Sequence, residues 1–292
     1  MPETTLTQIT DHVYWMSPGK PDRPSLCAVV GTNRTLMLEA GASAAHARQF
    51  LDALTNAQVP SPDYVALTHW HWDHIFGAAE LNIPIIAHQQ TATEMAVQAR
   101  YQWTDTALDA RVADGTEIAF CADNIKLELP EPREIYIIQP DIVYHDSLQI
   151  NLGDVSIHLQ HVGGDHAADS CVMHVMPDRV LFLGDCLYDA IYTPARHYTT
   201  QKLFPLLDTI LRFDAEFYIE GHTPTVMSRD ELLVIVDKMR LVGNTVDRLA
   251  GDQVAVTRAF SEQLGAALDE DTKGFIDTFV AGYKLEHPHS FE

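Results

Sequence analysis

Residues 64–74 read YVALTHWHWDH, a short apolar run followed directly by a dense set of histidine and aspartate residues. The run YVALT predicts a buried β-strand, so His69, His71, Asp73 and His74 come where that strand ends. In an extended segment residues two apart point to the same side, so His69, His71 and Asp73 can converge on one point. His74 breaks this alternation and faces elsewhere unless the chain turns there. The arrangement favours two adjacent metal ions over one.

Further histidine and aspartate residues follow later predicted strands. His161, Asp165 and His166 come after the run VSIHLQ, Asp185 comes after RVLFLG, and His222 comes after EFYIE. Catalytic groups tend to lie on loops that a rigid scaffold holds in place. Four strand ends that each deliver a potential ligand therefore predict one composite site.

The order of the predicted elements indicates the fold class. Short apolar runs between turn residues predict strands over 13–16, 26–31, 34–40, 64–68, 84–88, 133–138, 147–152, 155–160, 170–176, 179–184 and 216–220. Helical spacing predicts helices over 44–57, 90–110 and 200–213, a short helix ending near 81, and helical structure from 228 onward. Two strand-rich halves with interspersed helices indicate an α/β (α+β) protein, a four-layer αββα sandwich rather than a doubly wound parallel sheet.

No linker rich in Pro, Gly or Ser divides the chain, so we expect a single domain over 1–292. Its core is predicted at about 12–225, with an insertion at about 89–145 and a helical C-terminal extension at about 228–285. The insertion is rich in aromatic residues, namely Tyr101, Trp103, Phe120, Tyr136 and Tyr144. A lid over a cleft, a dimer contact and plain packing are the three interpretations of this segment.

The chain has 292 residues and a formal net charge of −22, yet it contains 15 histidines. This charge argues against nucleic acid and anionic membrane surfaces as partners, because both are bound through Lys and Arg. The polar start MPETTLTQIT has no signal-peptide pattern, and the four cysteines form no CxxC pair. We therefore expect a cytoplasmic protein that acts on a small molecule, with a second copy of the chain as a further candidate partner.

The histidine and aspartate pattern resembles that of the metallo-β-lactamase superfamily over roughly residues 12–225. The HxHxDH motif, a third histidine, an aspartate and a final histidine occur here in the order that this family shows. The resemblance implies an αββα fold, a hydrolytic reaction and two metal ions. It implies that the first ion is held by His69, His71 and His166, that the second is held by Asp73, His74 and His222, and that Asp185 bridges them.

Nitrogen and carboxylate ligands without thiolate suit Zn²⁺ best, while Fe, Mn and Co fit the same ligands. The nucleophile implied by the resemblance is a hydroxide shared by the two metal ions, so no Ser or Cys nucleophile is needed. The residues expected to take part in catalysis are Asp73, Asp185 and Tyr188. Tyr188 resembles the tyrosine of the family's homoserine-lactone hydrolases, where that residue contacts the substrate carbonyl. A place in the core or at the rim is the alternative for Tyr188.

Two positions in the segment 161–170 keep alternative interpretations. The family usually shows G-H-T-x-G-S where this chain has D-H-A-A-D-S, which favours His166 as the third histidine and leaves His161 as its competitor. Asp169 stands in place of the usual glycine. It is either a partner that orients a metal-binding histidine or a solvated turn residue.

A small ester, lactone or thioester is the expected substrate. The best-known zinc β-lactamases have Cys where this chain has Asp185 and a Lys shortly after, where it has Leu187, Tyr188 and Asp189. β-Lactam hydrolysis is therefore an alternative rather than the leading function. Phosphodiester hydrolysis, the reaction of an iron-dependent dioxygenase of the same superfamily and ligand binding without turnover also compete with the leading function.

Overall fold

The structure is a computed structural model that describes residues 5–264 and 267–288. Two β-sheets dominate it. The strands of the first sheet follow the order of the chain, and they are β1 (Leu6–Gln8), β2 (Val13–Met16), β3 (Leu26–Val30), β4 (Thr35–Leu38), β5 (Tyr64–Ala66), β6 (Ile85–His88) and β7 (Ile142–Tyr144). This sheet is antiparallel from β1 to β4 and parallel from β4 to β7.

The second sheet is built from the later part of the chain. Its strands are β8 (Ser147–Asn151), β9 (Ser156–His161), β10 (Cys171–Met176), β11 (Val180–Gly184), β12 (Phe217–Glu220) and β13 (Met227–Ser228). They lie in the order β13-β12-β11-β10-β9-β8. All neighbouring pairs are antiparallel except β11 and β12, which run parallel.

The helices of the first half are α1 (Ala44–Asn56), α2 (Trp72–Ile75), α3 (Ala78–Leu81), α4 (Gln89–Gln98), α5 (Asp105–Asp114) and α6 (Ala119–Glu128). Those of the second half are α7 (Thr200–Arg212), α8 (Arg229–Arg248), α9 (Gln253–Leu264) and α10 (Glu270–Glu286). Side chains hold the starts of several helices. Ser43 accepts from the His46 backbone N–H ahead of α1, and Ser228 forms a reciprocal capping box with Glu231 ahead of α8.

Three buried hydrophobic clusters separate four layers. The first cluster joins the first sheet to its helices, for example through Met37 and Phe50. The second joins the second sheet to α7–α10, for example through Leu183 and Val236. A third lies between the two sheets, where residues such as Val29 of β3 pack with those of β10 and β11. The predicted αββα sandwich is therefore confirmed, with helices on both outer faces of a pair of packed sheets.

The insertion at 89–145 differs from its sequence prediction in two places. The predicted helix over 90–110 is two helices, because Thr104 caps a new start at Asp105 after a break at 99–104. The predicted strand over 133–138 is wrong, since this segment has no regular secondary structure and pairs with no strand in the described chain. Ile135 and Ile137 pack against the first cluster, which explains the alternation, while β7 occupies the edge of β6.

The aromatic residues of this insertion divide between packing and exposure. Trp103 and Tyr144 are buried, whereas Phe120 and Tyr136 are 58% and 60% exposed. Plain packing therefore accounts for only part of the aromatic content of this segment. No helix in the described ranges is long and apolar enough to cross a membrane.

Candidate metal centre

The stretch THWHWDH changes conformation in its middle. The chain stays extended through His71, which has φ −60° and ψ 146°, and α2 begins at the next residue. His69 and His71 therefore point to the same region, as the alternation predicts. The expected convergence of Asp73 with these two histidines is wrong, because the helical turn brings Asp73 and His74 together instead.

The second sheet supplies three more side chains to the same region. His166 lies in the loop between β9 and β10, Asp185 follows β11, and His222 follows β12 by one intervening glycine. Gly221 permits this approach, because a Cβ atom at that position would lie only 2.0 Å from Asp185 Oδ1. The predicted meeting of strand ends therefore occurs at the edge where the two sheets face each other.

These side chains form two neighbouring clusters. His69, His71 and His166 make up the first, and Asp73, His74, Asp185 and His222 make up the second. Within each cluster the potential ligand atoms all lie within 4.8 Å of one another.

Asp185 lies between the two clusters. Its Oδ2 atom is 3.4 Å from His166 Nε2 in the first cluster. The same oxygen is 3.3 Å from His74 Nε2 and 3.3 Å from His222 Nε2 in the second. One carboxylate oxygen thus contacts imidazoles of both clusters.

The polar atoms that face each other in these clusters lack ordinary partners. The Nε2 atoms of His69, His71, His74 and His166 are buried without a hydrogen-bond partner among the described residues, as is Asp185 Oδ1. Buried polar atoms are normally hydrogen-bonded, so a convergent set of unpaired atoms calls for an explanation. Divalent cations fit this set of nitrogen and carboxylate donors.

The two clusters differ in their protonation. Burial, reinforced by neighbouring imidazoles, holds the pKa of His69 and His71 well below its usual value, so both rings are neutral. In the second cluster burial opposes ionisation, but the contacts between imidazoles and carboxylates outweigh it. Those contacts lower the pKa of Asp73 and Asp185 and raise the pKa of His74 and His222. The first cluster therefore offers neutral nitrogen donors and the second offers carboxylates.

The opposite ring nitrogens of four histidines each lie near an oxygen atom, although His74 Nδ1 makes no hydrogen bond within the described residues. His69 Nδ1 lies 2.9 Å from the Thr68 hydroxyl, and His166 Nδ1 lies 3.1 Å from the Asp189 carbonyl. His74 Nδ1 is 3.4 Å from Glu39 Oε1, and His222 Nδ1 is 3.5 Å from Asp22 Oδ1. Such contacts orient metal-binding imidazoles.

Sequence reasoning missed Glu39 and Asp22. Glu39 is fully buried and also accepts hydrogen bonds from the backbone and hydroxyl of Thr68. Its only signal in the sequence is an acidic residue at the end of the apolar run 34–40. Burial and the nearby Asp73 carboxylate raise the pKa of Asp22 to about 6. Asp22 follows a Pro-Gly-Lys-Pro turn, a position that resembles many solvated loops.

The candidates of the segment 161–170 separate clearly in space. His166 joins the first cluster, whereas His161 stacks on His88 with ring centroids 4.1 Å apart. Asp165 binds the backbone N–H and hydroxyl of Thr199 through its two oxygens, at 2.7 and 2.9 Å. Asp165 therefore holds the start of α7.

Asp169 matches neither of its two interpretations. It is buried, so it is not a solvated turn residue. Its Oδ2 atom accepts a hydrogen bond of 2.7 Å from the Thr91 hydroxyl, and the backbone of Trp70 is a further partner. Asp169 therefore contacts the backbone between His69 and His71 rather than either imidazole.

Tyr188 lies beside the clusters, half-buried. Its hydroxyl accepts a hydrogen bond of 3.2 Å from the backbone N–H of His222 and lies 3.4 Å from the Thr223 hydroxyl. Its ring centroid is 5.9 Å from that of His166. This geometry ties Tyr188 to the His222 loop, and its expected contact with substrate stays a prediction.

Comparison with known proteins identifies a family over most of the chain. A family model described as the metallo-beta-lactamase superfamily matches residues 21–222. Acyl-coenzyme A thioesterase MBLAC2 of Bos taurus is 22% identical over 234 residues, which cover 74% of this chain and 79% of that protein. Its Homo sapiens counterpart is 25% identical over 172 residues, covering 56% of this chain and 57% of that protein.

Solved structures share the fold at low sequence identity. The inverting sec-alkylsulfatase Pisa1 from Pseudomonas sp. superposes with a TM-score of 0.68 at 14% identity, over 99% of this chain and 52% of that one. A metallo-beta-lactamase from Pontibacter korlensis gives a TM-score of 0.56 at 16% identity, over 80% of this chain and 96% of that one. These likenesses concern the fold alone.

Proposed function

The chain belongs to the metallo-β-lactamase superfamily and is a metal-dependent hydrolase, and on that premise we propose that it cleaves thioesters and related small esters or lactones at a centre of two metal ions. One observation carries the proposal of two ions: a single oxygen of Asp185 contacts imidazoles of both clusters. A carboxylate in that position is well placed to bind two cations at once.

We assign each cluster to one ion. His69, His71 and His166 would hold the first, Asp73, His74 and His222 would hold the second, and Asp185 would contact both. When bound, such ions supply Lewis acidity, which acidifies water and polarises a scissile carbonyl. Zn²⁺ is the ion that this donor set favours, and Fe and Mn also suit it.

The chain's own residues orient the ligands and neutralise charge. Glu39 contacts His74 and, through Thr68, His69, so it holds two imidazoles in place. The carboxylates of Asp73 and Asp185 would offset half of the positive charge of two divalent ions. The Tyr188 hydroxyl accepts a hydrogen bond from the backbone N–H of His222 and so supports the loop that carries this ligand.

One observation favours the proposed substrate class, and a second disfavours β-lactams. The relatives with 22% and 25% identity are named acyl-coenzyme A thioesterases, which favours a thioester carbonyl. Among the three residues that follow Cys186, Asp189 is buried and paired with Arg196 at 2.6 Å, and Leu187 is buried. The position after Asp185 therefore offers no free lysine for the carboxylate of a β-lactam.

The proposal is tested with a panel of thioesters, lactones, phosphodiesters and β-lactams on Zn²⁺-loaded and Mn²⁺-loaded protein. We expect about two metal ions per chain, fastest hydrolysis of thioesters, and loss of activity on chelation that is reversed by metal. Hydrolysis that is indifferent to chelators would contradict the proposal. Oxygen consumption by iron-loaded protein, without hydrolysis, would favour a dioxygenase instead.

The segment 161–170 provides a matched pair of variants for this test. We expect His166→Ala to lose metal from the first cluster and most of the activity. His161, the last residue of β9, precedes that loop and lies outside the clusters, so His161→Ala should retain both. Equal metal content and activity in the two variants would overturn the assignment of His166.

A further inference from the structure

The loop 17–25, between β2 and β3, contains a closed turn beside the second cluster. Two backbone hydrogen bonds join Gly19 and Arg23, at 2.8 and 3.1 Å, so the three residues between them form the tip of the turn. Asp22 is the last residue of this tip, and its Oδ1 atom lies 3.5 Å from His222 Nδ1. The turn therefore brings a carboxylate to the side of the His222 ring that faces away from the other ligands.

A second contact fixes the same loop one residue before His222. The backbone N–H of Ser25 donates to the Gly221 carbonyl at 2.6 Å. The Ser25 hydroxyl in turn accepts a hydrogen bond of 3.0 Å from Trp15 Nε1 of β2. Because the loop contacts two successive residues after β12, the position of the loop and the position of His222 are linked.

A charged network joins Arg23 to the insertion at 89–145. Arg23 Nε lies 3.0 and 2.9 Å from the two carboxylate oxygens of Glu128, and Arg23 Nη2 lies 2.8 Å from one of them. The hydroxyl of Ser43 donates to the same carboxylate, and Arg23 Nη1 donates to Gln49 Oε1 at 2.8 Å. The Glu128 side chain is 1% exposed, so these donors rather than water stabilise its charge.

The place of Glu128 in its helix is unfavourable without this network. Glu128 is the last residue of α6, where the partial negative charge of the helix end opposes a carboxylate. The partners outside the helix therefore account for the charge at this position. They lie in the loop 17–25 and at the start of α1, so the network connects the insertion to the turn that carries Asp22.

We propose that Arg23 is a positioning residue for the second metal ion and that it acts through Asp22 on His222. The guanidinium fixes the base of the turn, and the turn holds the Asp22 carboxylate against His222 Nδ1. This contact directs His222 Nε2 towards Asp73 and Asp185, from which it lies 3.1 and 3.3 Å. The role of Nε2 as a ligand of a second ion rests on the proposed function, whereas the link from Arg23 to His222 does not.

Metal affinity measures this role directly. Arg23→Lys keeps the charge but loses the planar fork that contacts both oxygens of Glu128, and Glu128→Gln removes the charge at the other end. Calorimetric binding of Zn²⁺ to metal-free protein gives a dissociation constant for each ion, and the one lost in Asp73→Ala belongs to the second cluster. We expect each of the first two variants to raise that constant roughly tenfold and to leave the other constant unchanged.

Arg133→Lys is the matched control. Arg133 is also the arginine of an ion pair, its side chain is 2% exposed, and it contacts Asp105 at 2.6 Å and the Trp103 carbonyl at 2.7 Å. Neither of these partners belongs to the loop 17–25. We expect this variant to lower the free energy of unfolding but to leave both metal dissociation constants unchanged. A similar rise of the second constant in Arg133→Lys would show a general effect of destabilisation and would overturn the proposal.

A double-mutant cycle tests the route through Asp22. Arg23→Lys should weaken binding of the second ion in the wild type but have no further effect in Asp22→Ala. An equal effect in both backgrounds would overturn this route. Two bound ions with constants insensitive to Arg23→Lys would overturn the role of Arg23 and leave the proposed metal centre intact.

The link itself is measured in metal-free protein, so that it does not depend on the proposed function. The ¹⁵N chemical shift of His222 Nδ1, assigned with the variant His222→Gln, reports the contact with Asp22. We expect it to change in Arg23→Lys and in Asp22→Ala but not in Arg133→Lys. An unchanged shift in Arg23→Lys would overturn the link, whereas a changed shift in a protein that binds one ion would contradict the proposed pair of ions alone.

Discussion

Asp185 and Asp169 are two buried carboxylates of the second half of the chain, and their surroundings give them opposite properties. They are 4% and 2% exposed, so burial alone does not distinguish them. Although burial opposes ionisation, His222 and His74 lower the pKa of Asp185 well below its usual value. Asp169 accepts one hydrogen bond, from Thr91, and lies near the Trp70 backbone, and burial raises its pKa to about 7.

The difference shows that the protonation state of a buried carboxyl group depends on the groups that contact it rather than on how completely it is buried. Asp185 is a permanent anion among imidazoles, which suits a ligand for cations. The pKa of Asp169 is close to neutral pH. We expect this residue to contribute to the stability of the fold, through its contact with the Trp70 backbone, rather than to catalysis. Substitutions that remove one charge at a time can therefore separate chemistry from stability.

The largest effect is expected for Asp185→Asn. The substitution keeps the shape of the side chain but removes the charge that faces both clusters, so we expect kcat/KM to fall by roughly three orders of magnitude. Metal content per chain, measured by elemental analysis, should fall as well. Asp169→Asn provides the matched control and should keep its metal. A rate near that of the wild type for Asp185→Asn would contradict the bridging assignment.

A smaller effect is expected for Glu39→Gln. Glu39 contacts His74 Nδ1 and the Thr68 hydroxyl without belonging to the proposed ligands, and outer partners of this kind typically change metal affinity 10–100-fold. Competition with a chromogenic chelator measures this change. Glu80→Gln, at a position outside the clusters, is the control. An affinity equal to that of the wild type would mean that Glu39 does not orient the histidines.

The smallest effect on activity is expected for Asp169→Asn, whose main consequence concerns stability. Asp169 has a pKa of about 7 in the folded protein, against an ordinary value of 3.8, so the folded state binds the proton more tightly. The stabilisation from this proton is complete below about pH 4 and is lost as the pH rises through 7.

Urea unfolding of metal-loaded protein at pH 5 and pH 8 measures this loss. We expect the free energy of unfolding of the wild type to fall relative to that of Asp169→Asn, by on the order of 2 kcal/mol between these two values. Parallel pH dependences in the two proteins would show that the Asp169 carboxyl does not retain its proton. A large loss of activity in Asp169→Asn would contradict the proposal that Asp185 serves catalysis and Asp169 serves stability.

The sequence predicts the layers and most of the site, because both depend on local patterns. The apolar runs around 180–184 and 217–220 mark strands whether or not their neighbours are known, and the residues that follow them meet where strands of one sheet end together. The run 133–138 shows where this reasoning fails. A segment without regular secondary structure can show the same alternation as a strand, and its pairing depends on whether the edge of β6 is free.

Glu39 and Asp22 could not be predicted for a related reason. Each contacts an imidazole that is distant in sequence, His74 or His222, and nothing in the flanking residues reveals that contact. The same holds for Asp169, which accepts its hydrogen bond from Thr91 of helix α4, 78 residues earlier in the chain. Ligands that belong to one compact motif are visible in a sequence, whereas the residues that orient them become visible only in the fold.

The meeting of both sheets at one site has a mechanical consequence. In the proposed centre, four ligands follow β5 of the first sheet and three come from the loops of the second. Each bound ion would therefore act as a cross-link between two halves of the chain, much as a disulfide joins distant segments. The two sheets could then separate only when ligands leave the metal ions. The rate of metal dissociation would therefore limit the rate at which the protein unfolds.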